Sequence, residues 1–401
     1  MSTSSSTPPV GEEVPPAPDV DTTPSAQQTE GPSDAGLQPV KLLVGVLGIA
    51  VTVWLIGNLF LAFAWFPGWF FDSKILMGAL GLVAGVGGAA VLFWFLNQAI
   101  EALPRKLEHG IMPYAFLVPG FSLIGLMLLF PTVQTIHYSF ANRDSTAYME
   151  PLWANFQALF SSGAFWSAII NNLLWIAIVP AITVALGVVV AVLADKLSAS
   201  SEKWSKSFIF MPMAISFVAA SAIWLTTVYG YSPPGQPQTA ALNAMWVNWF
   251  GQDPVSWLDI DTARLNSILL MVILIWLQTG FAMVLLSSAI KGVPEDTIEA
   301  ARIDGASEVQ IFWQVVIPQI WSTIITVFIT VLILVMKVFD IVYVLTNGRN
   351  NTDVIANMFF REMFTNNNAG RATALIVVLL VAVIPILIYQ VRDFRKQELM
   401  R

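Results

Sequence analysis

Apolar residues in this chain gather into eight long runs separated by short polar segments, at roughly 42–66, 75–100, 112–137, 168–194, 207–229, 265–290, 319–345 and 372–391. A helix rises about 1.5 Å per residue and needs about 20 apolar residues to cross the hydrocarbon layer of a bilayer. Every run is long enough to cross with some tilt. The pattern therefore predicts an all-α polytopic membrane protein with about eight transmembrane helices. Before the first run, residues 1–40 hold eight prolines among Ser, Thr, Gly and Gln, with no apolar stretch and no basic start. That composition predicts a disordered tail and not a signal peptide.

Charge sets the orientation, because Lys and Arg near span ends are retained on the cytoplasmic side. With the N-terminus inside, the inner segments carry twelve basic residues: Lys41, Arg105, Lys106, Lys196, Lys203, Lys206, Lys291, Arg302, Arg392, Arg395, Lys396 and Arg401. The outer segments carry six: Lys74, Arg143, Arg264, Arg349, Arg361 and Arg371. Both termini are therefore expected in the cytoplasm. The formal net charge is −7, but six acids precede Lys41 and the remainder is near neutral. No basic patch of the nucleic-acid-binding kind is present, so no nucleic-acid partner is expected. Outer segments are rich in aromatic residues: Trp153, Phe156, Phe165 and Trp166 in one, Trp246, Trp249, Phe250 and Trp257 in the next. These read as a belt at headgroup level, or in part as a docking surface for an external partner.

The segment KGVPEDTIEAARIDGASEVQIFWQVVIPQ, residues 291–319, falls between the sixth and seventh runs on the side expected to be cytoplasmic. Pro294 suits a helix start, and Glu295 and Asp296 complement the positive end of the dipole. Asp304 and Gly305 stop that helix, since Gly accepts the left-handed conformation that commonly ends one. Ser307 with Gln310 three residues on forms a capping box for a second helix, and Pro318 closes the unit. Local rules alone predict helix, Gly-centred turn and helix at the membrane surface.

Glu299-Ala300-Ala301, Gly305 six residues after the glutamate, and Ile317-Pro318 at the end of this segment resemble the EAA motif of permease subunits of ABC importers. The EAARIDGAS version is similar to the carbohydrate branch, of the maltose and α-glucoside type. NNLLW at 171–175, FMPMAIS at 210–216, WLQTGFAMVLLSSAIKGVP at 276–294, KVFDIVYVLTNG at 337–348 and GRATALIVVL at 370–379 resemble that branch in order and spacing. The resemblance implies a type I permease core of six helices at 109–395, its coupling loop at 291–318, two additional N-terminal helices at 41–108 and a cytoplasmic end at 396–401. It implies a bacterial plasma-membrane protein that moves a sugar, a disaccharide or α-glucoside, with a polyol or glycerol phosphate as the alternative. Glu299, Ala300, Ala301, Asp304 and Gly305 would grip an ATPase subunit. No GxxxxGK[ST] occurs, so this chain has no phosphate-cradling loop. ATP and Mg are expected on a separate ATPase dimer, alongside a second related permease and an extracytoplasmic solute-binding protein. The usual glycine-rich GGP after the seventh span is GRN at 348–350.

Substrate sites in transporters lie near the bilayer midplane, on polar groups that cannot face lipid. The sixth run has its midpoint between Leu277 and Gln278, so Gln278 is an amide at maximum depth. Thr279 and Gly280 follow and could loosen the helix, and Phe281 lies three residues on. An amide beside an aromatic ring suits a sugar; the same Gln could equally hydrogen-bond a neighbouring helix, with Phe281 as packing. In the seventh run Lys337 and Asp340 are spaced to pair, roughly 7–12 Å outward from the run's centre. They read as a structural ion pair, a snorkelling Lys or a substrate contact. Val331, Val335 and Val338 stand where related disaccharide importers place polar residues, which implies that the partner permease supplies much of the pocket.

Zero cysteines exclude disulfides, thiolate metal sites and cysteine nucleophiles. Two histidines, both at span ends, and a lone Lys-Asp couple within the spans leave no constellation for a membrane enzyme. A secondary transporter would show ionisable relays or paired inverted repeats, and a polyanionic solute would favour more basic residues in the spans.

Overall fold

The protein is described as a computed structural model covering residues 37–399. Residues 1–36 of the expected tail lie outside the described residues. Helices account for the regular structure, with no strand among the described residues.

The described chain forms two compact units that divide between Met127 and Leu128. In the first, α1 (Pro39–Trp65) begins at a proline, whose missing N–H is one of the unpaired donors of any helix start. α2 (Lys74–Glu101) is capped by Ser73, whose hydroxyl accepts the Leu76 N–H at 3.3 Å. The two form a hairpin in which Gly45 lies against Ala99 and Gly48 against the ring of Phe95. α3 (Arg105–Ile124) follows. The division falls inside the third candidate span, Gly110–Tyr138.

The second unit starts with α4 (Phe130–Tyr138) and the short α5 (Ala154–Phe160). α6 (Gly163–Asp195) is a full span; α7 (Ala199–Phe210) and α8 (Phe217–Thr227) are the halves of a bent one, set at 102° to each other. α9 (Ala241–Phe250) precedes the span α10 (Leu265–Lys291). More than half of the apolar window of α10 is buried (56%), against none of that of α2 (0%). α10 is thus the most buried of the candidate spans, and α2 keeps its apolar window exposed among the described residues.

Contacts at the two ends of α6 and α10 fix the topology. At one end the Arg264 guanidinium, just before α10, donates to Asn171 Oδ1 at 2.5 Å, near the start of α6. At the other, Lys291 at the end of α10 lies 3.6 Å from Asp195 at the end of α6. The two spans therefore run parallel, and the bent pair α7–α8 must carry the chain back between them. It does: α7 starts beside Lys291, with Glu202 Oε1 2.5 Å from its ammonium. Tyr229, just after α8, donates its hydroxyl to Leu269 O at 2.8 Å, at the opposite end.

The bend itself follows from sequence. Pro212 sits in a 3-10 turn (Met211–Ala214), Ile215 is extended, and Ser216 restarts the helix by accepting the Ala219 N–H at 3.2 Å.

Residues 295–319 contain α11 (Glu295–Ile303), α12 (Glu308–Ile311) and α13 (Ile317–Gln319), the last two joined by a π turn. A 68° bend at Ile320 leads into α14 (Trp321–Met336), and the seventh run breaks again at Lys337–Phe339 before α15 (Asp340–Leu345). Pro318 thus lies within the helical unit, two residues before the bend. Six helices are long and apolar enough to span, and the bent pairs at 199–227 and 308–336 bring the candidate spans up to eight if each pair counts as one crossing.

Beyond α15, Asn347, Asn350 and Asn351 take positive φ, which Asn tolerates better than most residues. The loop they shape is tied down by α6 and α10: the Asn171 amide donates to Asn351 O and Asp353 O at 2.6 and 2.8 Å, and Asn266 donates to Asn350 O at 2.6 Å. α16 (Ile355–Phe360) follows, its first N–H donating to Asn172 Oδ1 at 2.9 Å. α17 (Ala369–Leu399) completes the bundle and continues helical into the segment expected as a terminal end. Among the aromatic residues read as a belt, Trp153 and Trp166 are exposed, but Phe165 is buried in a core cluster with Leu159 and Leu375.

Candidate functional site

Two regions of the second unit carry features that folding alone does not require. The first is the segment 291–319. α11 ends in a Schellman arrangement: Ala306 N–H donates to Ala301 O at 3.0 Å and Gly305 N–H to Arg302 O at 3.0 Å. Gly305 sits between them at φ +81°. Ser307 then caps α12, and the Gln310 side chain accepts the Ser307 N–H at 2.8 Å, completing the box.

The inner face of α11, Ile298 and Ala301, packs on Ile311, Val316 and Ile320. Its other face presents Glu299, Ala300, Ile303, Asp304 and Gly305 to solvent. Ile303 is 86% exposed, a large aliphatic side chain with nothing in this chain to cover it. Its signal in the sequence is an isoleucine one turn after Glu299 on the polar side of a short amphipathic helix. Arg302 pairs with Glu308 at 2.9 Å, and its guanidinium holds the Glu308 carboxyl below the usual carboxylate range. The pair joins α11 to α12 across the Gly turn.

The second region is an open cavity of about 450 Å³ on the second unit, lined by Met213, Ile215, Ser216, Phe217, Gln278, Leu334 and Asp340. It exists because two spans are broken at the same level. The bend between α7 and α8 supplies one wall, and the seventh run, interrupted at Lys337–Phe339, supplies the other. A second cavity of about 290 Å³ shares Phe217, Leu334 and Asp340 and adds Lys337 and Phe339. Gln278 is 5% exposed, and its amide makes no hydrogen bond to any described residue. The amide is not sealed off, since it opens onto this cavity, where water or a solute hydroxyl can bond it.

The other sequence-derived residues divide. Asp340 lines both cavities and Lys337 the second. No ion pair joins them: they flank the break in the seventh run, and among the described residues neither belongs to a salt bridge. Phe281 points elsewhere, packed in a cluster with Val184, Met283, Leu286 and Val327. Val331, Val335 and Val338 are buried in the cluster around α10 and contribute no polar group to the cavity. Gly280 does not loosen α10, which is continuous from Leu265 to Lys291. A Cβ there would collide with the carbonyl of Ile209 and stand 2.7 Å from Phe210 Cα, so Gly280 is where α7 crosses α10 at closest approach.

Residues 184–397 match the family described as "Binding-protein-dependent transport system inner membrane component". The alpha-glucoside transport system permease protein AglF of Rhizobium meliloti (strain 1021) is 39% identical over 344 residues, 81% of this chain and 99% of that protein. The osmoprotective compounds uptake permease protein GgtC of Synechocystis sp. is 44% identical over 286 residues, 71% of this chain and 100% of that protein. Among solved structures, a chain of a bacterial ABC transporter involved in the import of the acidic polysaccharide alginate superposes with TM-score 0.61 at 22% identity, over 73% of this chain and 98% of that one. A chain of the alginate transporter in complex with an alginate pentasaccharide-bound periplasmic protein gives TM-score 0.59 at 21% identity, over 71% and 94% of the two chains.

Proposed function

This chain belongs to the family of binding-protein-dependent transport system inner membrane components, and from that premise we propose that it forms half of the translocation path of an ATP-driven sugar importer. The sugar is a disaccharide or α-glucoside, as in the 39% identical permease named for that class. A second related permease supplies the other half, an ATPase dimer that binds ATP and Mg grips residues 291–319, and an extracytoplasmic binding protein delivers the solute. The chain itself is a transport subunit, with hydrolysis performed by the partner. Both termini and the coupling loop lie in the cytoplasm on the twelve-to-six distribution of basic residues.

One observation carries the path. The unbonded amide of Gln278 faces a cavity bounded by the two broken spans, and discontinuous helices at the midplane are how transporters expose backbone and side-chain polar groups to a solute. A cavity of about 450 Å³ falls in the range of small-ligand sites, about 300–1,000 Å³. Gln278 would bond solute hydroxyls, Asp340 and Lys337 would flank the path, and Phe281 would stiffen the wall behind it.

Replacing Gln278 by Ala should weaken recognition by about 0.5–1.5 kcal/mol, or roughly 2- to 10-fold in half-saturation of uptake. It should also re-rank a panel of disaccharides, run with small polyols because of the 44% identical osmoprotectant permease. Thermal unfolding of the purified assembly is measured beside it. Lower stability with an unchanged ranking would return Gln278 to a packing role.

Orientation has its own check. With cysteines placed at Trp249 and Lys203 in this cysteine-free chain, an impermeant thiol reagent added outside should label the first and spare the second. The reverse pattern would invert the topology.

A further inference from the structure

Where α6, α7 and α10 end together, five side chains form one polar cluster. Lys206 lies 3.3 Å from Asp195 and 2.5 Å from Glu202. Lys291 lies 2.5 Å from Glu202 and 3.6 Å from Asp195. Ser287 donates to Asp195 at 3.1 Å and is also bonded to Lys206. Two carboxylates and two ammoniums balance, each carboxylate serving both lysines. Asp195, Glu202 and Lys206 keep no more than about a fifth of their side-chain surface exposed (19%, 16% and 20%).

The cluster stands between the two functional regions. Lys291 is the last residue of α10, and only Gly292, Val293 and Pro294 separate it from α11. On the other side, Glu202 and Lys206 belong to α7, a rod of about 18 Å whose far end rests on Gly280 and passes into Met213, Ile215 and Ser216 of the cavity wall. Apolar helix contacts can slide past one another. Three of these four charged groups are mostly out of water while Lys291 keeps 52% of its side chain exposed, and the cluster has one register because parting it would leave the buried charges without partners.

We propose that this cluster is the joint that carries movement of the loop at 291–319 into α7, and through the bend at Ile215–Ser216 into the cavity. Glu202 and Lys206 act as positioning residues: they touch neither solute nor nucleotide, and they fix α7 to the root of the loop. The inference rests on the permease reading above, in which that loop is driven by an ATPase.

The test uses the complete transporter reconstituted in vesicles, with uptake and ATP hydrolysis measured together. Wild type comes first; if its hydrolysis does not respond to any loaded binding protein tried, the functional reading fails before the joint is addressed. Glu202→Gln and Lys206→Met are then expected to lower the solute moved per ATP at least about fivefold, the lower end of typical coupling between sites. Hydrolysis itself should stay close to wild type and the ranking of solutes should not change. Lys206→Arg should restore the ratio. An unchanged ratio in both neutral variants overturns the proposal.

Should the neutral variants fail to assemble, Glu202→Cys combined with Lys291→Cys, bridged by a short cleavable thiol-specific spacer, gives an independent answer. A joint that moves as one body keeps transporting when bridged. Loss of uptake that reverses on cleaving the spacer would show that the ends must separate, and would overturn it.

Discussion

Glu299→Lys and Gly305→Val are expected to abolish solute-stimulated ATP hydrolysis, at least tenfold each for a coupling of about 1.4 kcal/mol or more, and for different physical reasons. Glu299 is exposed, belongs to no salt bridge among the described residues and lies opposite the face of α11 that packs on Ile311 and Ile320. Reversing its charge should leave the stability of this chain within about 0.5 kcal/mol, as for other surface substitutions. Capture of the ATPase subunit should nevertheless be lost. At Gly305 no atom stands within 4 Å of where a Cβ would be, so space is not the obstacle. The obstacle is φ +81°, where an L-residue costs roughly 1–2 kcal/mol and a β-branched one more. Valine should unwind the Schellman turn and swing α11 away from α12. Pull-down of the ATPase by each variant, with thermal unfolding of the permease, separates the two effects. Normal solute-stimulated hydrolysis in both variants would remove the loop from the coupling role.

That loop was almost wholly legible in the sequence. Its caps obey rules that span no more than about four residues: Ser307 with Gln310, and Gly305 after α11. The eight apolar runs were legible too, since length and hydropathy are local sums. What escaped was everything decided by partners far along the chain. Nothing near Asn171 announces that its amide will hold Asn351, 180 residues away, and nothing near Glu202 announces Lys291, 89 residues away.

The Lys337–Asp340 pairing failed for a related reason. Spacing of three residues implies a shared face only while the helix continues, and this one breaks between them at a position with no proline or glycine to mark it. Gln278 was found because a polar group at the centre of an apolar run is visible by composition alone. Spacing groups Phe281 with it, but the ring packs toward Val184 and Val327. Composition marks Gly280 for its backbone freedom, whereas the structure uses its lack of a side chain.

Gly280→Ala is therefore expected to destabilise the assembly, although helix propensity alone argues the opposite. In an isolated helix the exchange should gain about 1 kcal/mol. Here the new methyl would overlap the Ile209 carbonyl and approach Phe210 Cα to 2.7 Å. Both are backbone atoms, so no rotamer change can relieve the overlap, and forcing a methyl into such a contact typically costs about 1–3 kcal/mol. Relief requires α7 to lift off α10, and α7 runs directly into the cavity wall at Met213 and Ile215. Uptake should fall along with the unfolding temperature, and Gly280→Val should be worse on both counts. Gly85→Ala in α2, where no atom lies within 4 Å of the added methyl, supplies the control. It should hold or raise stability by propensity alone. If Gly280→Ala behaved like Gly85→Ala, with stability and uptake intact, α7 could not be crossing α10 at that point.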